Sequence, residues 1–531
     1  MGMIFLRNRV SGAAPADAYA IGGASPELVA AFLTAADGTT EGEYFRTGGV
    51  DDDFSMFTFA RSGTATYFDS NGTLVWAPHN LFTKSNTTFP NVDADLTATE
   101  GYEVDFFGAA VRYAYNTGSG ASSNGQQSTP VTPGATYTLS FWAKDVSGTT
   151  GSGYGIYDES NSAYLAAHGF SSAWPSAINT STYTKQTITF TAPANCTSAR
   201  LWVLQVTDVS TVDVAIGGVH WYRSDLGGMA DNPDQPAGLE KYVPTTSAAV
   251  YLSRRNAYYY NSGWTKGGLQ LESAAATQLL HGTDSFATQT ETVTAQAYTL
   301  QFRGTGSIAL TGAHTATLTG TGANDLVSLT FTPSAGTLTL TPSGTVDYPQ
   351  LEVGSIPTSY IPNTAGSGTV ARAAEALSIA GADTPANTTA VSISMKGLVT
   401  YVDSNSASEK TFLRWYADAS NYILWFLYTN GGTGGPYTIQ RTAAVTDLVL
   451  GNGSSISPGV NSPFNVAARH TSGAINVAIN GTSATANTTP TALVDLSSTS
   501  LELGQNFGGF ISEFRMWGTD IGDSGIAEVS T

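Results

Sequence analysis

Cysteine is nearly absent from this chain. Its 531 residues contain one, Cys196, which excludes an intrachain disulfide framework. Set in the Thr-rich stretch 187–206, that residue reads as a buried small hydrophobe rather than a nucleophile. Basic residues are scarce as well: 22 Lys and Arg stand against 41 Asp and Glu, for a net charge of −19. Nucleic-acid binding needs clustered cations facing phosphates. The nearest approach here is the single pair Arg254 and Arg255, so nucleic acid is excluded as a partner. No apolar run approaches the ~20 residues of a membrane span, which excludes insertion by a helix. The start, Met1 to Val10, places its basic residues after a short apolar stretch, unlike a secretory signal. The expectation is a protein made and kept in the cytoplasm until it is assembled or released.

Sites for common chemistry are missing too. The six histidines (79, 168, 220, 281, 314 and 470) include no pair at zinc-ligand spacing. Gly304-Thr305-Gly306 and Gly320-Thr321-Gly322 lie between strand-like runs and read as turns, not phosphate loops. A glycosidase needs two carboxylates across a cleft, but among 41 acids the proximity of some pair discriminates nothing. No enzyme is expected.

Charged residues make up 12% of the chain, about half the usual share. Hydrophobic residues make up 41%, which excludes a disordered polymer. Thr, Tyr, Phe and Val suit a pleated, half-buried surface, and Gly, Asn, Asp and Pro interrupt them at short intervals. The composition is all-β, and the length implies roughly three or four domains. Residues 1–54 form an N-terminal segment in which Ser25 to Thr34 has the spacing of a short helix: Ser25 as cap, Pro26 in the first turn, and Leu28, Ala31 and Phe32 on one face. From 55 to 245, strand-like runs such as Thr136 to Lys144, Gln186 to Pro193 and Ala199 to Leu204 indicate a jelly-roll sandwich. From 246 to 370 comes a shorter second version, with Tyr298 to Phe302 and Val327 to Pro333 in the corresponding roles. From 371 to 531 the texture changes again. Asn421 to Tyr428 is apolar on both faces, and Asn480-Gly481 is a hairpin turn.

Three phrases carry resemblances. Phe59-Ala60-Arg61-Ser62-Gly63-Thr64-Ala65-Thr66-Tyr67-Phe68-Asp69 through Gly72 is similar to the opening phrase of β-sandwich modules in appended proteins of tailed-bacteriophage virions: tail fibres, head fibres and spikes. Gly268 to Phe286 has the family's second phrase, and Gln350-Leu351-Glu352 through Pro362 its closing phrase, with a partner at 239–251. The order of strands in 55–245 resembles jelly-roll carbohydrate-binding modules. Gly473 to Gly481 followed by Phe510 to Trp517 resembles a concanavalin A-like, laminin-G-like sandwich. The resemblance implies an all-β chain of tandem jelly rolls plus a concanavalin A-like domain. It also implies assembly in the bacterial cytoplasm, exposure on the virion surface, attachment to other virion proteins through 1–54, and a host cell-surface polysaccharide as partner. A homotrimer is implied as well. No heptad coiled coil is present to build one, so trimerisation would run through sandwich sides or the N-terminal segment, and a single copy stays open. The alternative reading is a polysaccharide depolymerase with accessory binding modules.

Sugar-binding sandwiches stack aromatic faces on pyranose rings. The densest clusters in loop-like stretches are Tyr258, Tyr259 and Tyr260 with Trp264, and Tyr154, Tyr157 and Tyr164 with Trp174. The expected contacts are Trp264 with Tyr259, and Trp174 with Tyr157. Trp142, Trp202, Trp425 and Trp517 lie in apolar strands and are expected in cores. No cofactor is expected beyond the structural calcium that the resemblance implies, for which the candidates are Asp403, Asp418 and Asp495.

Overall fold

The computed structural model describes residues 19–33, 43–46, 54–89, 96–115, 122–147, 152–167, 174, 176–206, 212–364, 368–385, 389–402, 409–428, 435–451, 456 and 459–531. Strands dominate them, and the single α-helix among them is Gly522–Val529. The chain divides into two units, each discontinuous in sequence. Met1–Ala60, Arg254–Ala275 and Ala374–Thr531 form the first, and Arg61–Ser253 with Ala276–Ala373 the second.

The first unit is a concanavalin A-like sandwich of two antiparallel sheets. One sheet runs, in spatial order, Thr482–Ser483, Ile475–Ile479, Gly459–Thr471, Ala390–Val402, Gly508–Trp517, Trp264–Glu272 and Arg254–Tyr260. The facing sheet has seven strands: Phe57–Ala60, Ala376–Ile379, Leu501–Leu503, Glu409–Asp418, Asn421–Tyr428, Gly435–Thr442 and Val445–Leu450. One core joins them, and it draws Phe32 and Phe57, Leu269 and Leu271, and Trp425 and Phe514 from all three stretches of chain. Asn480 and Gly481 both have positive φ (46° and 80°) in the tight turn after Ile475–Ile479, as the Asn-Gly pair requires.

The helix expected over 25–34 is a strand instead. Leu28–Ala31 pairs antiparallel with 513–516 of Gly508–Trp517. Leu28, Ala30 and Phe32 enter the main core, while Val29 and Ala31 pack with Tyr19 on the other side. That is a period of two rather than 3.6. The buried pairing outweighs the weak local preference for helix. Glu27 accepts a hydrogen bond from the Gly518 amide at 3.2 Å.

Arg254 is fully buried between two carboxylates. Its Nη2 lies 2.8 Å from Glu272 Oε2 and 2.6 Å from Glu375 Oε2. Burial alone would pull the guanidinium's pKa down, but the charges and hydrogen bonds of Glu375 and Glu272 hold it above its ordinary value. Removing one member of such a group strands buried charge. Arg254→Met is expected to cost the first unit about 3–5 kcal/mol, and Glu375→Gln less, because the amide keeps a hydrogen-bonding oxygen. Urea melts of both variants measure this. A loss below about 1 kcal/mol for Arg254→Met would mean that the carboxylates reach water.

The second unit holds two jelly rolls. In the first, a five-stranded sheet has the order Thr184–Thr191, Thr136–Asp145, Val212–Arg223, Val111–Tyr115, Leu96–Thr99. It faces a four-stranded sheet of Ser122–Pro130, Ser198–Val206, Ser152–Asp158 and Ala163–Ala167. The second jelly roll repeats this order with Gly322–Phe331, Tyr298–Gly304 and Asp347–Val353 against Gln289–Val293, Gly336–Ser343, Ser307–Gly312 and Ala316–Thr319. Only the counterparts of the last two strands of the five-stranded sheet are missing from it. Each jelly roll has its own core. Cys196 is fully buried in the first, where burial pushes its thiol up to about 12, as fits a small hydrophobe.

The repetition extends to single atoms. Tyr137 Oη accepts from the Thr132 amide and Tyr298 Oη from the Thr294 amide, and each tyrosine stacks on a phenylalanine, Phe190 or Phe331. Gly218 (φ 62°) and Tyr348 (φ 54°) occupy the same bulge. A Cβ on Gly218 would lie 2.7 Å from the Trp142 ring, so the first copy requires glycine.

The repeated phrases form a clasp. Asn80 Nδ2 donates to the carbonyls of Val219 and Val243, and Gln278 Nε2 donates to those of Pro349 and Ile361. Ser85 Oγ bonds to the Thr245 carbonyl and takes a bond from Tyr242 Oη. Thr283 Oγ1 does the same with Asn363 and Tyr360. The opening of each module is thus tied to its close by buried polar groups that satisfy one another.

Candidate functional site

On the four-stranded sheet of the first jelly roll, side chains alternate between core and outer face. Tyr154, Ile156, Ala199 and Leu201 enter the core. Tyr157, Arg200 and Trp202 therefore point the other way, in register with Tyr164 and Ser128. Tyr157 and Trp202 are nearly parallel (10°) with ring centroids 6.1 Å apart. Tyr164 meets Tyr157 edge-on at 5.1 Å and Trp202 at 5.5 Å. Gly155 stands opposite Trp202 and adds no side chain to that row. Tyr164 is 47% exposed, Tyr157 half-buried, and Trp202 only 9% exposed beneath them. The result is an apolar surface of tyrosine rings backed by an indole.

Polar groups border it. Arg200 lies 2.8 Å (Nε) and 2.5 Å (Nη2) from Glu159 Oε1. Glu159 also accepts from Ser128 Oγ at 3.0 Å and Ser198 Oγ at 2.6 Å. Burial would raise the carboxyl's pKa, but the hydrogen bonds from Ser198, Arg200 and Ser128 together hold it below its usual range.

The second jelly roll supplies an internal comparison. The equivalent outer face there carries Thr290 and Thr292, Thr337, Thr339 and Thr341, and Thr317 and Thr319. The same sheet order is thus built with threonines, so the fold does not need aromatic rings at that place.

Of the residues expected at a site, Tyr157 lies on this face. Trp174 does not: it is 6% exposed, packs edge-on against Phe141 at 5.7 Å, and belongs to the core. Its position in a loop-like stretch concealed that it fills the sandwich. Trp264 and Tyr259 are not a pair. Trp264 pairs across the hairpin with Tyr260, ring to ring at 5.4 Å, whereas Tyr259 lies one residue out of phase and packs on Phe510 at 5.7 Å. Adjacent residues of a strand face opposite ways. Trp425 lies in the first unit's main core as expected, and Trp517 is buried on the outer face of its strand, against Ile526 and Val529 of Gly522–Val529. Trp142 and Trp202 are likewise buried on outer faces, Trp142 under Phe107 and Tyr242.

Asp418 and Asp495 each close a local turn. Asp418 accepts from the Ser420 amide at 2.7 Å and from Asn421, and Asp495 from Ser497 Oγ at 2.7 Å and the Ser497 amide, which hold both carboxyls below their ordinary range. Asp403 lies outside the described residues. Among the described residues no three His, Cys, Asp or Glu side chains gather as a metal site, and no helix is long and apolar enough to cross a membrane.

No family model matches the chain, and no curated protein does. Among solved structures it is similar over 27% of its length to a leech intramolecular trans-sialidase complexed with 2,7-anhydro-Neu5Ac (14% identity, 23% of that chain, TM-score 0.23). It is similar over 28% to the botulinum neurotoxin serotype D binding domain (17% identity, 37% of that chain, TM-score 0.22). Over 27% it is similar to the Ruminococcus gnavus IT-sialidase CBM40 bound to alpha2,3 sialyllactose (13% identity, 83% of that chain, TM-score 0.21). The first two are thus covered over less than two thirds of their own length. Likenesses this slight carry no functional weight for this chain.

Proposed function

We propose that this protein is an appended virion protein that binds host-surface polysaccharide without cleaving it. The binding face is the Tyr157, Tyr164 and Trp202 surface of the first jelly roll. The observation that carries the binding reading is the contrast between the two jelly rolls: one strand order, with aromatic rings on one outer face and threonines on its counterpart. Tyrosine rings that the fold does not require, partly in water over a buried indole and bordered by hydroxyls and a carboxylate, suit the alternating apolar and hydroxylated faces of a pyranose. The virion reading rests on the module phrases, of which 239–251 and 350–362 each supply the closing side of a clasp. Attachment to other virion proteins is assigned to 1–54 outside the buried strand Leu28–Ala31, and several copies per particle, a homotrimer among the arrangements, would add avidity to weak single sites.

Tyr164→Ala is expected to weaken binding to host cells by about 1–3 kcal/mol, roughly 5- to 150-fold, with only a small change in melting temperature because Tyr164 is 47% exposed. Equal binding by Tyr164→Ala and Tyr157→Ala variants and the parent would remove this face from consideration. Reducing ends released from host polysaccharide would replace binding alone with turnover. Antibody against the chain that labels no particle in negative-stain images would end the virion reading.

A further inference from the structure

The charges around the aromatic face narrow its ligand, given the reading of that face as a glycan site. Its four strands carry one basic residue, Arg200. That guanidinium is already engaged by Glu159, and Glu159 in turn is held by Ser128 and Ser198. The other carboxylate of the sheet, Asp158, is buried and spends its oxygens on the Ser160 and Asn161 amides and on Asn161 Nδ2. The strands and Glu159 together therefore carry one positive and two negative charges, in a chain whose net charge is −19.

We propose that the face selects uncharged pyranosides over uronic or other acidic sugars. A sugar carboxylate arriving here meets Arg200 already neutralised. It must either displace Glu159 from the guanidinium, leaving that half-buried carboxylate only the Ser128 and Ser198 hydroxyls, or stay unpaired itself beside like charge. A neutral pyranose meets no such conflict. Its axial C–H face lies on Tyr164 and Tyr157, and its hydroxyls donate to Glu159, which as a carboxylate only accepts, and exchange bonds with Ser128 and Ser198. The same carboxylate that fixes Arg200 thus rewards hydroxyl donors and rejects acids.

The test is calorimetric titration of the full chain with glucose and galactose hexasaccharides and with oligogalacturonate of equal length, at low and high salt. A neutral oligosaccharide is expected to bind with little salt dependence and to lose affinity in Tyr164→Ala. Oligogalacturonate is expected to bind at least about tenfold more weakly. Glu159→Gln, which leaves Arg200 with an uncharged neighbour, is expected to raise oligogalacturonate affinity severalfold. Oligogalacturonate bound more tightly than the neutral sugars, in a manner that Tyr164→Ala abolishes, overturns the selectivity and leaves the glycan face standing. Binding of none of the three overturns the glycan face itself.

Discussion

Residues 374–531 made alone are expected to stay unfolded, although nearly all of the strands expected for a concanavalin A-like domain lie within them. The strand Gly508–Trp517 takes partners along one edge from Trp264–Glu272 at residues 508–511 and from Leu28–Ala31 at 513–516. In the facing sheet, Ala376–Ile379 pairs with Phe57–Ala60. The fragment would expose those edges and lose Leu28, Phe32, Met56, Phe57, Leu269 and Leu271 from the core. At about 1.5–3 kcal/mol for each large buried side chain, the loss is on the order of 10 kcal/mol, comparable to the whole stability of a domain. Glu375 would also be buried without Arg254. The fragment should show no cooperative thermal transition and should bind a hydrophobic dye. A chain that keeps all three stretches, with each jelly roll replaced by a Gly/Ser linker long enough to span the gap, should melt cooperatively. A sharp melt of 374–531 near the full chain's temperature would refute the three-stretch core.

That dependence was not legible in the sequence, and the reason is physical. Local patterns report periodicity and turns, whereas Trp264–Glu272 and Leu28–Ala31, the partners along one edge of Gly508–Trp517, lie hundreds of residues away. Trp517 Nε1 donates to the Ala24 carbonyl across 493 positions. The jelly rolls were legible because their alternation, their turn residues and their clasp phrases all lie within one module. The stretch at 25–34 misled because Ser25, Pro26 and Glu27 satisfy the rules of a helix start, while the deciding fact, burial of Leu28–Ala31 on both faces, belongs to tertiary structure. At the candidate site the tyrosines could be found from their clustering. Trp202 could not, because a strand buried on both faces looks the same in sequence whether its outer face is covered by core or by two tyrosines. The available signal was parity: Trp202 is out of phase with the core residues Ala199 and Leu201.

Acid is expected to weaken both units above the pH at which carboxylates protonate, and the second unit more steeply. Three histidines among the described residues are fully buried. Burial lowers His79 to about 4, and His220 and His470 each to about 3. Hydrogen bonds explain why two of them resist a proton. His79 Nε2 accepts from the Arg223 amide, so its one proton sits on Nδ1 and goes to the Ala77 carbonyl. His470 Nε2 accepts from Trp425 Nε1 and Thr438 Oγ1 and has no room for a hydrogen. His220 donates from Nε2 to the His79 carbonyl, and protonating its other nitrogen places charge in the core beside His79. In the unfolded chain each imidazole titrates near 6.5. Between that value and the folded one the unfolded state binds more protons, so the stability present above pH 6.5 is lost as pH falls toward 4. Each histidine contributes about 1.4 kcal/mol per pH unit in that window. The second unit, with His79 and His220, should therefore lose about twice as much per pH unit as the first, which has His470. Carboxylates whose pKa values are lowered in the fold, such as Glu103 and Glu159, add their loss only below about pH 4.5. The chain can be equilibrated in urea at a series of pH values and pulse-labelled with deuterium at one fixed pH. Peptides read by mass spectrometry then give a midpoint for each unit. Midpoints that stay level between pH 6.5 and 4.5, or that fall at the same rate in both units, would contradict the assignment of neutral buried histidines.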